Sequence, residues 1–399
     1  MRSKPSAALS AALVTLSFVS QACLPAPEPA AYEECVKDQL HKGIPLLEAQ
    51  HFCRAHEPPP RPDPSNCFTG DAVIDDASDV ATFAPFSEIH GALRVLSGAP
   101  NVVSLPNLTR VTGDVELVYS SYRPEPPPMS ASYPAMRCGA IRQVTADVRV
   151  FQLPQLTTIG GDLTMEQENS FSGISTQPIE LGMDQLTSLG GSLSISIGQF
   201  GGSPCGLTGL GQIPADLTVR FLTSGEVDGS ISGLLTTLTQ VGGTFTFERS
   251  HNSFGVPLPL LARVGALRIL KDDPSLSGFH FPSLTDVAGL AELSGTGPLS
   301  NLTALTRVGS LLVHDSGYLS LEDVGGASLE LGGLELRDNP ALAALTTPAG
   351  TSKVTLAVSA PLTIVDNPLL SAAAICAFVD YEEGQSWSGP SDLGGTVCP

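Results

Sequence analysis

Four aspartates share one position in a recurring phrase. Asp114, Asp147, Asp162 and Asp216 each follow a glycine, or an alanine in its place, just ahead of an alternating apolar segment. If successive copies stack as parallel strands, equivalent residues lie about 4.8 Å apart. Neighbouring carboxylates at that spacing could hold a cation or supply the acid pair of a glycan-cleaving enzyme. The other reading is corner chemistry, because further copies place Ser192, Thr244, Ala266 and Ser310 there.

Three other groups invite a chemical reading. His314, Asp315 and Ser316 are the residue types of a hydrolytic triad. A triad is defined by spatial arrangement, which three adjacent residues at a turn do not provide. His51, Cys53 and His56 with Cys35 are metal-ligand types, but the spacing matches no strong zinc pattern and a disulfide would consume both thiols. No metal and no cofactor is therefore expected, and no catalytic residue is assigned. The insertion SSYRPEPPPMSASYPAMRC, from Ser120 to Cys138, holds three of the six tyrosines once Tyr119 beside it is included. Tyr119, Tyr122, Arg123, Met129 and Tyr133 are of types favoured at interfaces, and long loops on rigid scaffolds often carry function. They form the candidate binding loop; the alternative is a surface insertion packed on the coil beside it.

These residues are positioned by a repeat. LPNLTRVTGDVEL (105–117), LPQLTTIGGDLTM (153–165) and MDQLTSLGGSLSI (183–195) are one sentence written three times, L-x-x-L-x-x-[IVL]-x-G-x-[LVF]-x-[LIVMF]. It returns at 234–247, 258–270, 281–293 and 302–313, with weaker copies at 86–96, 144–150, 207–219 and 324–336. Such a period marks a solenoid. The last residues of each copy alternate apolar and polar, as in Leu163-Thr164-Met165, which means a strand with one buried face. The glycine falls at a corner, and leucines at i and i+3 point inward from a second, shorter segment. A second corner follows the strand at KDDPSL (271–276), RDNPAL (337–342) and VDNPLL (365–370), where Asp/Asn-Pro is strong turn chemistry. One coil cannot bury its own leucines, but stacked coils share a continuous core. LSAAAICAFVDYEE (370–383) reads as a helix capping the open end, with Ser371 near its start.

The phrase with its trailing D-N-P-x-L resembles the receptor L-domain family, the ligand-binding modules of insulin- and EGF-receptor ectodomains that also occur in bacterial and fungal surface proteins. The resemblance spans residues 67–384 and departs from the family at the proline-rich insertion and at the degenerate copies near 140–150 and 205–219. It implies a right-handed parallel β-helix related to leucine-rich repeats. It implies a binding module rather than an enzyme, and it carries no catalytic set to this chain.

Ahead of the array lies an export segment. MRSKPSAALSAALVTLSFVSQAC has Arg2 and Lys4 before a short apolar core and small residues before Cys23. This resembles a bacterial lipoprotein signal, in which Cys23 takes the lipid and Leu24 directs the protein to the outer membrane. Ser20 and Gln21 depart from the usual lipobox, and Ser20-Gln21-Ala22 also suits ordinary secretion. Eight cysteines pair evenly if the chain is simply secreted; lipidation of Cys23 leaves seven. Export permits disulfides, with Cys35–Cys53 and Cys376–Cys398 the expected pairs and Cys67, Cys138 and Cys205 unassigned. The organisation is signal peptide 1–22, spacer 23–34, a small helical Cys-bracketed unit 35–56, a Pro-rich linker 57–66, the solenoid with its cap 67–384 and a tail 385–399.

A net charge of −20 over 399 residues repels phosphate backbones and anionic lipid headgroups. General nucleic-acid binding is excluded on that ground, and the membrane is reached through the lipid at Cys23 alone. The sequence contains no Walker loop, HExxH or GxSxG. The expectation is a mainly β, surface-anchored, non-enzymatic recognition or adhesion lipoprotein whose partner is a protein or glycan. The alternatives are a β-helix polysaccharide lyase or hydrolase and a structural envelope protein.

Overall fold

The computed structural model describes residues 66–120, 133–137, 140–144, 149–168, 179–197, 206–221, 234–249, 256–271, 279–295, 302–321, 324, 328–346 and 352–398, together with residue 42. The signal peptide with Cys23, the spacer, the Cys35–Cys53 unit, the linker, and Cys138 and Cys205 lie outside the described residues.

The chain is a parallel β-solenoid. Its main wall is a 16-stranded sheet in which the strand of each coil pairs with that of the next, from Ala72–Ile74 to Ser391–Asp392. Registers are strict: Leu163 faces Val115 and Leu193, Leu193 faces Leu217, and Leu217 faces Phe245. A second wall stacks Cys67–Thr69, Glu88–His90, Arg110–Val111, Thr158–Ile159 and Ser188–Leu189. A third stacks Val102–Ser104, Arg149–Gln152 and Ile179–Gly182. Over residues 240–314 the first two walls fuse into long strands, such as Gln240–Arg249 and Arg263–Lys271, where the corner survives as a register shift between Val241 and Thr244; they part again as Leu329–Leu331 and Leu334–Arg337, then Val354–Leu356 and Leu362–Val365.

The phrase explains these elements residue by residue. The two leucines of L-x-x-L close a single turn: Leu108 N–H donates to Leu105 O, Leu156 to Leu153 and Leu261 to Leu258, at 3.1–3.2 Å. Both leucines then enter the core, where all six are at most 1 % exposed. The alternating segment sends Leu163 and Met165, and their counterparts in neighbouring coils, inward to form continuous columns. Each such side chain contributes about 1.5–3 kcal/mol by leaving water. The threonine that follows the second leucine has its own task. Thr109, Thr157, Thr239 and Thr306 each donate Oγ1–H to a carbonyl of the preceding coil, at 2.9–3.1 Å.

One copy of the phrase is not a coil. The stretch 144–150 reads as a degenerate repeat, but Leu163–Glu168 pairs directly with Val115–Ser120, so no strand of the main wall lies between them. Instead, Tyr133–Arg137 and Ala140–Val144 form an antiparallel hairpin, and Arg149–Gln152 belongs to the third wall of the coil that ends in Leu163–Glu168. The step from Gly113 to Gly161 is a single coil with a long insertion. Alternating apolar residues suit a hairpin as well as a coil, which is why the pattern misleads there.

Helix α1 (Ala77–Phe83) begins at Asp76, whose side chain accepts from Ser78 and Asp79 N–H while Asp79 accepts from Asp76 N–H. It packs Phe83 edge-on against Phe68 of the first coil, with ring centroids 5.2 Å apart. Helix α2 (Ala372–Gly384), capped by Ser371, covers the other end. The residues read as a tail complete this cap: Ser391–Asp392 pairs with Leu362–Thr363, Trp387 is buried, and Cys398 bonds Cys376. Cys67 is disulfide-bonded as well.

Candidate functional site

The aspartate column forms, and its carboxylates are clamps. Asp114 Oδ1 accepts Asp162 N–H at 2.9 Å, Asp162 Oδ1 accepts Ser192 N–H at 2.6 Å, and Asp216 Oδ1 accepts Thr244 N–H at 2.6 Å. Asp71, which lies ahead of the first copy of the phrase, does the same to Ala92 at 2.9 Å. Each acid holds the corner amide of the following coil. Asp147 lies outside the described residues, and the coil that would place it in the column does not exist. The second glycine of each doublet follows from the clamp, whereas the first, such as Gly160 or Gly190, has a backbone carbonyl of the preceding coil where a Cβ would stand. A Cβ on Gly161 would stand 2.0 Å from Asp114 Oδ1, and one on Gly191 2.0 Å from Asp162 Oδ1. Where the preceding coil carries Ser192 instead of an acid, the next coil tolerates Ala215. The pairing of an acid with a glycine one coil later is visible in the sequence as Asp114 with Gly161 and Asp162 with Gly191; only the stacking supplies its reason.

His314-Asp315-Ser316 is the same second corner as Asp338-Asn339-Pro340 and Asp366-Asn367-Pro368. His314 pairs with Arg337, and Arg337 with Val365, so the three segments align. Asp315, Asp338 and Asp366 adopt left-handed φ values of 50°, 52° and 54°, which aspartate and asparagine tolerate better than most residues. Behind them runs a buried amide ladder. Ser316 Oγ donates to Asn339 Oδ1 at 2.6 Å, Asn339 Nδ2 to Val313 O and Asn367 Oδ1 at 3.0 Å, and Asn367 Nδ2 to Leu336 O at 3.0 Å. Ser316 is buried and committed to this ladder, so the three residues do not make a nucleophilic site.

The outer face of the walls carries paired charges that the phrase does not announce. Arg220 meets Glu248 and Arg268 meets Glu292, each at 2.6 Å between residues directly opposite on adjacent coils. Arg307 meets Asp286 in the same way, and Arg337 meets Glu335 within one strand. Hydrogen bonding from Arg307 holds the Asp286 carboxyl below its ordinary value. Burial pushes Glu292 up, and the hydrogen bonds and charges of Arg268 and His314 more than reverse it, so Glu292 also titrates low. Opposite charges in cross-strand register stabilise the stack; like charges there would oppose it.

Of the candidate binding loop, Tyr119 lies in the strand Val115–Ser120 opposite Gln167, and Tyr133 begins the hairpin. Tyr122, Arg123 and Met129 lie outside the described residues, as do His51 and His56. At the C-terminal end a groove of about 500 Å³ opens between the last coil and the cap, with Ile364, Asp366, Leu370, Ile375 and Leu393 in its walls. Among the described residues no group of three or more His, Cys, Asp or Glu is placed to hold a metal, and no helix is long and apolar enough to cross a membrane.

No protein-family model matches the chain, and no curated protein and no solved structure matches it significantly. The resemblance to the receptor L-domain family therefore rests on the repeat phrase and its D-N-P corner.

Proposed function

We propose that this is a surface-anchored, non-enzymatic recognition protein, carried to the outer membrane or cell surface by a lipid on Cys23, whose solenoid presents the insertion 120–138, with Tyr119 beside it, to a protein or glycan. The observation that supports this reading is the pairing across the insertion. Residues 115–120 and 163–168 stay in unbroken register although 48 positions separate each pair. The main wall passes the insertion without a break, so the segment can vary for binding without changing that register. A lyase or hydrolase reading draws on the acid column, whose described carboxylates are engaged with backbone amides.

The test is excision. Residues 121–148 are replaced by a short turn, and wild type and variant are screened on glycan arrays and against extracts of surface proteins. The reading expects a wild-type ligand that the excised protein fails to bind while unfolding at a similar temperature. Equal binding by both proteins sinks the assignment to the insertion. The intact mass of the membrane-bound form tests the anchor: an acylated chain starting at Cys23 is expected, and a soluble, lipid-free chain would replace the anchor with secretion.

A further inference from the structure

Glu382 is a buried acid that belongs to neither the repeat nor the insertion. It lies on α2 with 0 % of its surface exposed. Its Oε2 accepts the Leu356 N–H at 2.8 Å, and its Oε1 has no hydrogen-bond partner among the described residues. Leu356 ends Val354–Leu356, a terminal strand that pairs with Leu329–Leu331 on one side and, among the described residues, with no strand on the other. Deeper in the stack the next coil takes up such amides. Here the carboxyl of the cap does so.

A buried carboxylate without a cation is strongly disfavoured, whereas the neutral acid can accept the same amide at far lower cost. The geometry points to a pH-operated latch: Glu382 holds the C-terminal cap on the solenoid when protonated and loosens it when ionised. Burial pushes the Glu382 carboxyl up from its ordinary value, and the Leu356 amide draws it back by less. A group bound more tightly to its proton in the folded chain contributes stability below its unfolded value and loses it as pH rises through the folded one. The cap is therefore tightest in acid. The titratable neighbours do not reverse this. Asp380 and Glu383 on α2 are exposed, and Tyr381 donates its hydroxyl to Ser352 O at 2.9 Å. Lys353 precedes the terminal strand, and the segment after α2 brings Trp387, which does not ionise. Opening would uncover the edge of the terminal strand, a surface able to pair with another extended chain.

The protein carries its own reporter. Trp387 is the only tryptophan, is 5 % exposed, donates its backbone N–H to Glu382 O at 3.0 Å and its indole N–H to Ala360 O at 2.8 Å. Acrylamide quenching and fluorescence-detected melting of the full chain are followed from about pH 4 to about pH 8, in wild type and in Glu382→Gln. Glutamine keeps an acceptor for Leu356 and has no charge. The expected result is that wild-type Trp387 becomes more quenchable and its transition falls as pH rises, and that this dependence is lost in Glu382→Gln. The same pH dependence in both proteins, or a flat wild-type curve, overturns the latch. If Glu382→Gln does not reach the wild-type far-ultraviolet spectrum, hydrogen exchange of residues 352–360 in wild type decides. Protection that does not change with pH, once intrinsic exchange is corrected, overturns it as well.

Discussion

Glu292 on the wall and Glu382 under the cap are both withdrawn from water, with side-chain exposure of 15 % for Glu292 and whole-residue exposure of 0 % for Glu382. Glu292 has Arg268 on one adjacent coil and His314 on the other, and its carboxyl titrates low. Glu382 has one backbone amide, and burial drives it high. The difference lies in what each coil finds beside it. Inside the array every residue meets its own counterpart one coil away, so a single well-placed charge, threonine or aspartate is answered repeatedly. At the end there is no next coil. The last amides must be met by residues outside the repeat, and the acid that meets one of them is left without a cation among the described residues.

That contrast can be broken at several depths. The largest effect is expected inside the stack, at the amide ladder. Asn339→Ala takes the acceptor from the Ser316 hydroxyl and Ser316 N–H and a donor from Val313 O, and should cost about 3 kcal/mol in urea unfolding. A loss within experimental error would mean that water replaces the amide. At the cap, reducing Cys376–Cys398, which closes a separation of 22 residues, should cost about 3 kcal/mol in the loop-entropy view. The loss should fall on the cap, so the Trp387 transition should part from the far-ultraviolet one. Coincident transitions would show that cap and array unfold as one unit.

The clamp gives a finer test. Gly191→Ala pushes a methyl onto Asp162 Oδ1 and should destabilise by about 1–3 kcal/mol. Asp162→Ala removes the obstacle, so the double variant should be less destabilised than the sum of the two single changes. Additive losses would place the strain in the backbone instead. The smallest effect belongs to the exposed charges: Arg268→Ala should cost less than about 1 kcal/mol and less still in high salt. The pH profiles should then point in opposite directions. Because Glu292 is held low, its contribution is present above the ordinary carboxylate range and is lost as pH falls through its folded value. Glu292→Gln should flatten the acid side of the global unfolding profile, and Glu382→Gln the stretch of the cap profile that lies above the ordinary carboxylate range.

Much of the architecture is legible in the order of residues. Leu153, Leu156, Ile159, Leu163 and Met165 announce their inward direction by spacing alone, and Ser371 announces the start of the capping helix. The stretch 144–150 marks the limit: alternation in Val144–Val150 is compatible with a coil strand, and only the direct pairing of Leu163 with Val115 excludes it. The helix Ala77–Phe83 escapes a reading by periodicity although Asp76 and Asp79 spell a capping box, because seven residues hold too few turns for the pattern to stand out. The charge pairs escape for another reason. Arg220 and Glu248 sit at the same offset in two copies, but offset becomes contact only when the copies are adjacent coils.

The sequence by itself therefore determined the repeat unit, its two corners and the buried face of each strand, because these follow from side-chain period and turn chemistry within a few residues. The tertiary structure alone decided which coil neighbours which across the insertion, that the aspartates at the corner are clamps, and that Glu382 is buried against a lone backbone amide. Those depend on stacking and desolvation, which arise between segments far apart in the chain and leave no local pattern to read.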